Sequence, residues 1–455
     1  MLKKPPPYQT ELEIVSLESL VPADHLLRKI DAVIDFSFIH ELVAERYCPD
    51  NGRPPLDPTL MFKALFIGYL FGVRSERQLV REIEVNVAYR WFLRLKLTDA
   101  VFDASTLSQN RRRRYQDTSI AQAIFDQIVE QAIAHNLLDG TVLYTDSTHL
   151  KANANKNRFD KGIVSKSRSD YWDDLDKAVE QDRAAHGKRP LNPKPHQPVS
   201  KQSKISRTDR DAGYMVRDGK PKGFFYLDHR TVDGRLGIIT DTYTTPANVH
   251  DSIVYLSRLD RQRTRFDFDV GAVGLDAGYA TAGIAKGLED RKILGVTGYR
   301  RPTHRKGYYY KRQYEYLAAK DAYRCPEGQI LPYATTSRTG YRHYKSNPKL
   351  CALCPSLNKC TRSANTTKIV TRHVWQDSRD KTDSYRLTDW GKRIYQRRKE
   401  TVERSFADAK QLHGHRYARF RGLIAVSCQC LLAATAQNIK KIALTLTKQQ
   451  KPHPA

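Results

Sequence analysis

Acidic residues are too few in this chain for its bases. Fifty Asp and Glu stand against 77 Lys and Arg, a formal net charge of +27. That deficit excludes a self-neutralised surface and favours a polyanionic partner, of which nucleic acid is the commonest in a cell. Long apolar runs are missing too. The most apolar stretch, LMFKALFIGYLFGV from Leu60, is short for a membrane span and carries Lys63, which argues against the rival polyanion, an anionic membrane. The opening residues MLKKPPPYQTELEI have no apolar core after their lysines, so no signal peptide is expected and the cytoplasm, at the nucleoid, is the expected compartment. Cysteines are scarce and odd in number, seven in all, which favours reduced thiols or a metal site over a disulfide framework. Disorder is excluded by what is there: 40% apolar and 10% aromatic residues in 455, enough for two to four domains.

Residues 1–137 read as a helical DNA-binding domain with its own core. Pro58 suits a first helical turn, and Ser75 and Ser105 suit N-caps. Arg111, Arg112, Arg113 and Arg114 form an unbroken basic run fit for phosphate contact, with a solvated helix end as the competing reading. From Gly140 the texture changes. Val142 to Thr145 is a short β-prone run ending on Asp146, followed by residues too polar to continue a buried strand. Residues 154–222 are polar, basic and proline-dotted, and read as an irregular insertion. GFFYLDHRTV and RLGIITDTYT then form a hairpin across Asp233-Gly234, NVHDSIVYLSRLDRQ a helix, VGAVGLDAGY a buried strand ending on Asp276, IAKGLEDRK a helix and ILGVTGY a strand. The fold class is therefore α+β or mixed α/β, a mixed sheet with flanking helices behind an all-helical N-terminal region. Residues 138–300 hold the first part of this core and 387–448 the second.

Between them, residues 301–386 carry Cys325, Cys351, Cys354 and Cys360. The C-x-x-C pair has zinc-knuckle spacing and suggests one structural Zn²⁺, against the reading of four unrelated thiols. YQRRKETVERSFADAKQLHG, Tyr395 to Gly414, reads as one helix whose Val402, Phe406 and Ala409 face a core. Lys399, Glu403 and Lys410 share a neighbouring face, with Tyr395 toward the apolar side; a plain Lys399–Glu403 ion pair is the competing reading. A last apolar helix, LIAVSCQCLLAATAQNIKKIALTL, completes the core. Two strand-end aspartates and a helix-borne glutamate in a basic protein are hard-oxygen ligands for two Mg²⁺ or Mn²⁺ ions and for phosphoryl transfer. His149 and His250 lie near the strand ends in sequence and read as supporting rather than catalytic groups.

On these residues the chain resembles the bacterial insertion-sequence DDE transposases, whose core is ribonuclease H-like. The acids match at Asp146 in YTDSTHLKA, Asp276 in GLDAGYA and Glu403 in TVERSFADAK. The related signature Y-x2-R-x3-E-x6-K is met by Glu403 and Lys410, whereas Tyr395 and Arg398 keep their mutual spacing one residue early, and Lys399 stands four before Glu403. The cysteine-bearing segment resembles an insertion found at that place in the group. The resemblance implies binding of terminal inverted repeats and target DNA, metal-dependent cleavage and strand transfer, DNA contacts from Tyr395, Arg398, Lys399 and Lys410, and a homodimer or larger assembly on DNA. A nuclease of the same fold, or an inactive DNA-binding descendant, are the alternatives.

Overall fold

Alternating and continuous apolar runs build a six-stranded sheet at the centre of the molecule. The computed structural model describes residues 13–47, 55–115, 117–165, 171–192, 200–216, 219, 222–300, 302 and 304–450. Its five main strands are β1 (Val142–Lys151), β2 (Gly223–Asp233), β3 (Ile239–Pro246), β4 (Ala272–Leu275) and β5 (Leu294–Thr297), in the order β3-β2-β1-β4-β5. β3, β2 and β1 pair antiparallel, and β4 and β5 run parallel to β1. This is the ribonuclease H-like order. A short strand, Gly213–Met215, shares the edge of β2 with β3. Helices α1 (Asp251–Phe266) and α2 (Ala282–Asp290) follow the sheet strands in sequence, and α3 (Asp389–Arg397), α4 (Val402–Leu412) and α5 (Leu423–Gln449) close the chain.

β1 is longer than the sequence predicts. It continues through Ser147, Thr148 and His149 because β2 pairs with it from Leu143 to Lys151 and all eleven residues of β2 are buried, polar ones included. Successive side chains of a strand point to opposite faces, so β1 serves two layers. Thr145 bonds Thr231 at 2.9 Å on the α1 face, where Gln262 reaches Thr231 and Thr240. Tyr144 lies on the other face, over Gly274 beside Ile394 of α3. The hairpin forms as expected, but its loop is five residues, with Asp233 accepting from Arg235 N and Gly140 N.

The N-terminal region is helical, from Leu17–Leu20 to Ser119–Ala134. Pro58 opens its helix and Ser75 caps the next; Asp103, not Ser105, caps the helix Ala104–Arg113, its carboxylate accepting from Ser105 N. These helices do not keep a core of their own. Leu27, Phe66 and Ile124 belong to the same contiguous apolar cluster as Leu143, Val273 and Ile439, since α5 packs against the N-terminal helices and β3 alike.

Residues 154–222 are more ordered than expected. Strands Phe159–Ser165 and Ser200–Ser206 form a ribbon, and Tyr171–Ala185 is a helix; residues 193–199 of the proline-dotted stretch lie outside the described part. That helix docks on the second insertion, an antiparallel meander of five strands from Glu315–Leu317 to Ile369–His373. Asp182 accepts from Thr336 Oγ1 at 2.6 Å and Arg342 Nε at 2.7 Å, and His186 meets Asp321 at 2.7 Å. The meander has its own small core of Tyr314, Tyr323, Leu331, Tyr344 and Val370.

Candidate active site

Asp146 and Asp276 are neighbours because of strand register. Thr145 pairs with Leu275, the last residue of β4, so the next residue on each strand is an aspartate, about 4.8 Å across the sheet. Asp146 thus lies inside its strand, at the point where the β4 pairing ends and the β2 pairing continues.

The segment that brings Glu403 to them is not one helix. α3 stops at Arg397 and α4 starts at Val402. Between them Glu403 N bonds Arg398 O at 3.0 Å, five residues back, and Thr401 Oγ1 holds Arg397 O at 2.7 Å. A five-residue closure takes in one residue more than an α-turn does. The extra residue that separates this chain from the R-x3-E spacing is absorbed there. In a regular helix Arg398 and Glu403 would lie about 140° apart; here they face each other, and Lys399, expected beside Glu403, is exposed.

Arg398 is the centre of the arrangement. Its side chain is only 4% exposed, and its guanidinium lies 2.6 Å from Asp146 Oδ2, 3.8 Å from Asp276 Oδ1 and 3.8 Å from Glu403 Oε1. Its Nη1 also approaches Tyr395 Oη at 3.5 Å. Three carboxylates far apart in sequence therefore converge on one cation. Asp276 and Glu403 are half-exposed, at 50% and 49%, and Asp146 is 21% exposed. Burial raises the Asp146 carboxyl to about 6; Arg398 and the Ser147 N–H oppose the rise, and Asp276 and Asp251 add to it.

Asp251 is the acid that sequence reading missed. It opens α1, accepts from Ser147 Oγ at 2.9 Å and lies 3.6 Å from His229 Nδ1. Its position one residue after the helix cap, in NVHDS, was the available signal. His250 is that cap, its Nδ1 accepting from Ser252 N, and His149 packs edge-on against Phe225.

Beneath the acids lies a buried polar network. Arg230, fully buried, pairs across the strands with Asp146 and binds Asp228 at 2.8 Å, Ser405 Oγ at 2.9 Å and Gln437 Oε1 at 3.2 Å. Asp228 also accepts from His415 at 2.9 Å and Thr242 at 2.5 Å. Burial pushes the Asp228 carboxyl up, but Arg230, His415 and Thr242 outweigh it and hold it well below the usual carboxylate range. Asp228, His415 and Cys430 form the one His/Cys/Asp/Glu group within 4.8 Å among the described residues. The oxygens of Asp228 are already taken by three donors, so the trio serves as a filled ion-pair network that sets Ser405, two residues from Glu403, against the sheet.

The basic run splits. Arg111 pairs with Glu76 and stacks on Phe420 at 3.9 Å, and Arg114 lies over Tyr47 at 4.4 Å. Arg112 and Arg113 are exposed on the last helical turn, Lys410 is half-buried on α4, and Tyr395 is half-buried on α3. The four cysteines line a single cavity of about 30 Å³. Cys325 Sγ accepts from Gln329 N at 3.3 Å and Cys360 Sγ meets Tyr314 Oη at 3.2 Å. No three of the sulfurs come within 4.8 Å of one another.

A sheet in the ribonuclease H-like order thus carries three acids that converge at one end. Residues 15–113 match the family described as "Transposase domain (DUF772)", and residues 324–443 the family described as "Transposase DDE domain". These two matches, each to part of the chain, support an insertion-sequence DDE transposase. A chain of the "Mos1 transposase paired-end complex with left transposon end" aligns with 55% of this chain and 61% of its own length, under two thirds, at 13% identity and a TM-score of 0.17, too slight a likeness to bear on the architecture. No curated protein matches the sequence. Among the described residues no helix is long and apolar enough to cross a membrane.

Proposed function

We propose that the chain binds the terminal inverted repeats of an insertion sequence, cuts the DNA at their ends and joins those ends to a target, with Asp146, Asp276 and Glu403 as metal-holding carboxylates. The observation that carries this reading is their convergence on the Arg398 guanidinium. The donor set fits Mg²⁺ or Mn²⁺, since hard cations take carboxylate oxygens and the guanidinium already supplies the positive charge that three clustered acids require. Bound there, two such ions would supply Lewis acidity at the phosphodiester and an activated hydroxyl nucleophile. Arg398 competes for the same oxygens and keeps the acids together until a stronger cation takes its place. Arg112, Arg113 and Lys399 are exposed and suit phosphate contact, and a homodimer or larger assembly would bring two ends together. The test is incubation of the protein with DNA carrying the element's ends, in Mg²⁺ or in EDTA. Metal-dependent cleavage followed by joining of the cut end to a second duplex supports the reading; cleavage without joining makes the chain a nuclease, and binding without cleavage an inactive relative.

The raised Asp146 carboxyl links metal to stability. A carboxyl whose folded value lies near 6, against about 3.9 unfolded, favours the fold below about 4 and loses that contribution as pH rises through about 6. Ionised Asp146 is thus a burden on the order of 2–3 kcal/mol at neutral pH, one that a bound cation relieves. Addition of Mn²⁺ is expected to raise the melting temperature at pH 7.5 and to do so less at pH 5.5. Asp146→Asn should raise the metal-free melting temperature and remove most of the Mn²⁺ effect. An equal Mn²⁺ shift in the variant would place the ion elsewhere.

For the cysteines, the Cys325-Pro326-Glu327-Gly328-Gln329 turn supports a structural Zn²⁺. It aims the Gln329 N–H at Cys325 Sγ and closes with Gly328 N on Cys325 O at 2.9 Å, and the four cysteines share one small cavity. The insertion core is small, so an ion would contribute folding free energy. Metal analysis of the purified protein should find about one zinc per chain, lost in Cys351→Ser. A zinc-free protein with an intact meander would refute the site.

A further inference from the structure

A second cavity, of about 560 Å³, opens where the chain leaves the sheet beside the acids. β5 ends at Thr297, in register with Leu275. Gly298 follows against α3 and the residue after Asp276: a Cβ there would come within 2.6 Å of Tyr395 Oη and 2.8 Å of Ala277 N. Tyr299, 59% exposed, then forms the rim of the cavity. Two Cα steps of at most 3.8 Å separate the cavity from the end of the last core strand.

Its lining is unusual in charge and shape. Tyr299, Tyr308, Tyr309 and Tyr310 contribute rings, Arg305, Lys311, Arg312, Arg362 and Lys368 contribute cations, and among the described residues no carboxylate lines the space. Three of the cations of this wall lie against its rings. Arg305 and Arg362 lie 5.6 and 5.3 Å from the Tyr308 centroid, Arg362 Nε donates to Tyr308 Oη at 2.6 Å, and Arg312 lies 5.0 Å from Tyr310. His304 and Tyr310 stack at 3.5 Å with their planes 7° apart, a flat two-ring plate. Cation–ring contacts leave positive charge uncompensated, so the wall is set for an anion, and its ring plate for a planar group. The space is of ligand-pocket size, far too small for a duplex.

We propose that this cavity holds one or two unpaired nucleotides of a DNA strand, bases against the Tyr310–His304 plate and phosphates against Arg305 and Arg362. Aromatic stacking plus a basic wall is the general means of holding single strands without reading their sequence. Its place beside Asp276 makes the held nucleotides those next to the cut bond, a detail that rests on the reading of the acids as the cleavage centre. Strand binding itself does not.

The test uses the full chain with Ca²⁺ in place of Mg²⁺ or Mn²⁺ and no chelator, and a fluorescently labelled eight-nucleotide oligo-dT beside a blunt duplex. Tyr310→Ala and Arg362→Gln are each expected to weaken oligo-dT binding about tenfold, the scale of one stacked base, and to leave duplex affinity within about twofold. Tyr310→Trp keeps a ring and should keep single-strand affinity, which separates lost stacking from a damaged meander; Arg362 is exposed and its replacement leaves the core intact. Unchanged oligo-dT binding in both variants, equal losses for oligo-dT and duplex, or tighter binding of the matching oligo-U would each overturn the proposal. Loss of metal-dependent cleavage in the acid variants with oligo-dT binding retained leaves it standing, so the two readings fail separately.

Discussion

Asp146→Asn, Asp276→Asn and Glu403→Gln are each expected to lower the rate of end cleavage by about a thousandfold or more, the scale of several kcal/mol of lost transition-state stabilisation. Each change keeps the shape of the side chain and removes the charge that a divalent ion needs. Duplex binding should stay within a few-fold, because the phosphate contacts proposed for Arg112, Arg113 and Lys399 are made by other groups. Arg398 adds a second readout. Asp146→Asn relieves the buried carboxylate, whereas Asp276→Asn and Glu403→Gln each only take away from Arg398 a half-exposed partner at 3.8 Å, so only the first should raise the metal-free melting temperature. Near-normal cleavage in Mg²⁺ by any one variant would remove that residue from the site.

Arg230→Ala is expected to cost about 3–5 kcal/mol, the range for breaking a buried ion pair by removing one partner. Asp228 would remain charged and fully buried with only His415 and Thr242 beside it, and Ser405 would lose its anchor. Urea unfolding should show a lower midpoint at an unchanged slope. Replacing the pair together, Arg230→Met with Asp228→Leu, should recover much of that stability, since a buried pair exchanged for apolar groups is often neutral. Cleavage should not recover with it, because the bond from Arg230 of β2 to Ser405 of α4 would still be missing. Recovery of both would mean that the network contributes stability alone and does not position Glu403.

The sheet was legible because its strands are apolar runs closed by turn chemistry, and the two aspartates because each follows a short apolar run. The length of β1 was not legible, since Ser147, Thr148 and His149 look like loop residues until β2 is seen to offer a buried, partly polar neighbour. The break at residues 398–401 had a visible trace, the one-residue excess before Glu403. Helical periodicity carries no signal for where an excess residue is absorbed, and so Lys399 was placed where Arg398 stands. The helix Tyr171–Ala185 was missed for a different reason. Its buried apolar contacts include only Leu175 and Val179, which pack with Trp375 from the distant insertion, a partner that no local window contains. The buried Asp228–Arg230–His415 group was invisible for the same cause: His415, beyond α4, stands 185 or more residues from the pair on β2, and a charged pair inside a strand reads as surface.

The apolar cluster that α5 shares between the N-terminal helices and the sheet has a mechanical consequence. Parts joined through a large apolar interface do not swing against each other, so a displacement of the helices reaches the carboxylates without slack. Any large rearrangement must then be sought outside that interface; the meander, with a core of its own, is a separate body, and the helix Tyr171–Ala185 is bonded to it through Asp182 and His186.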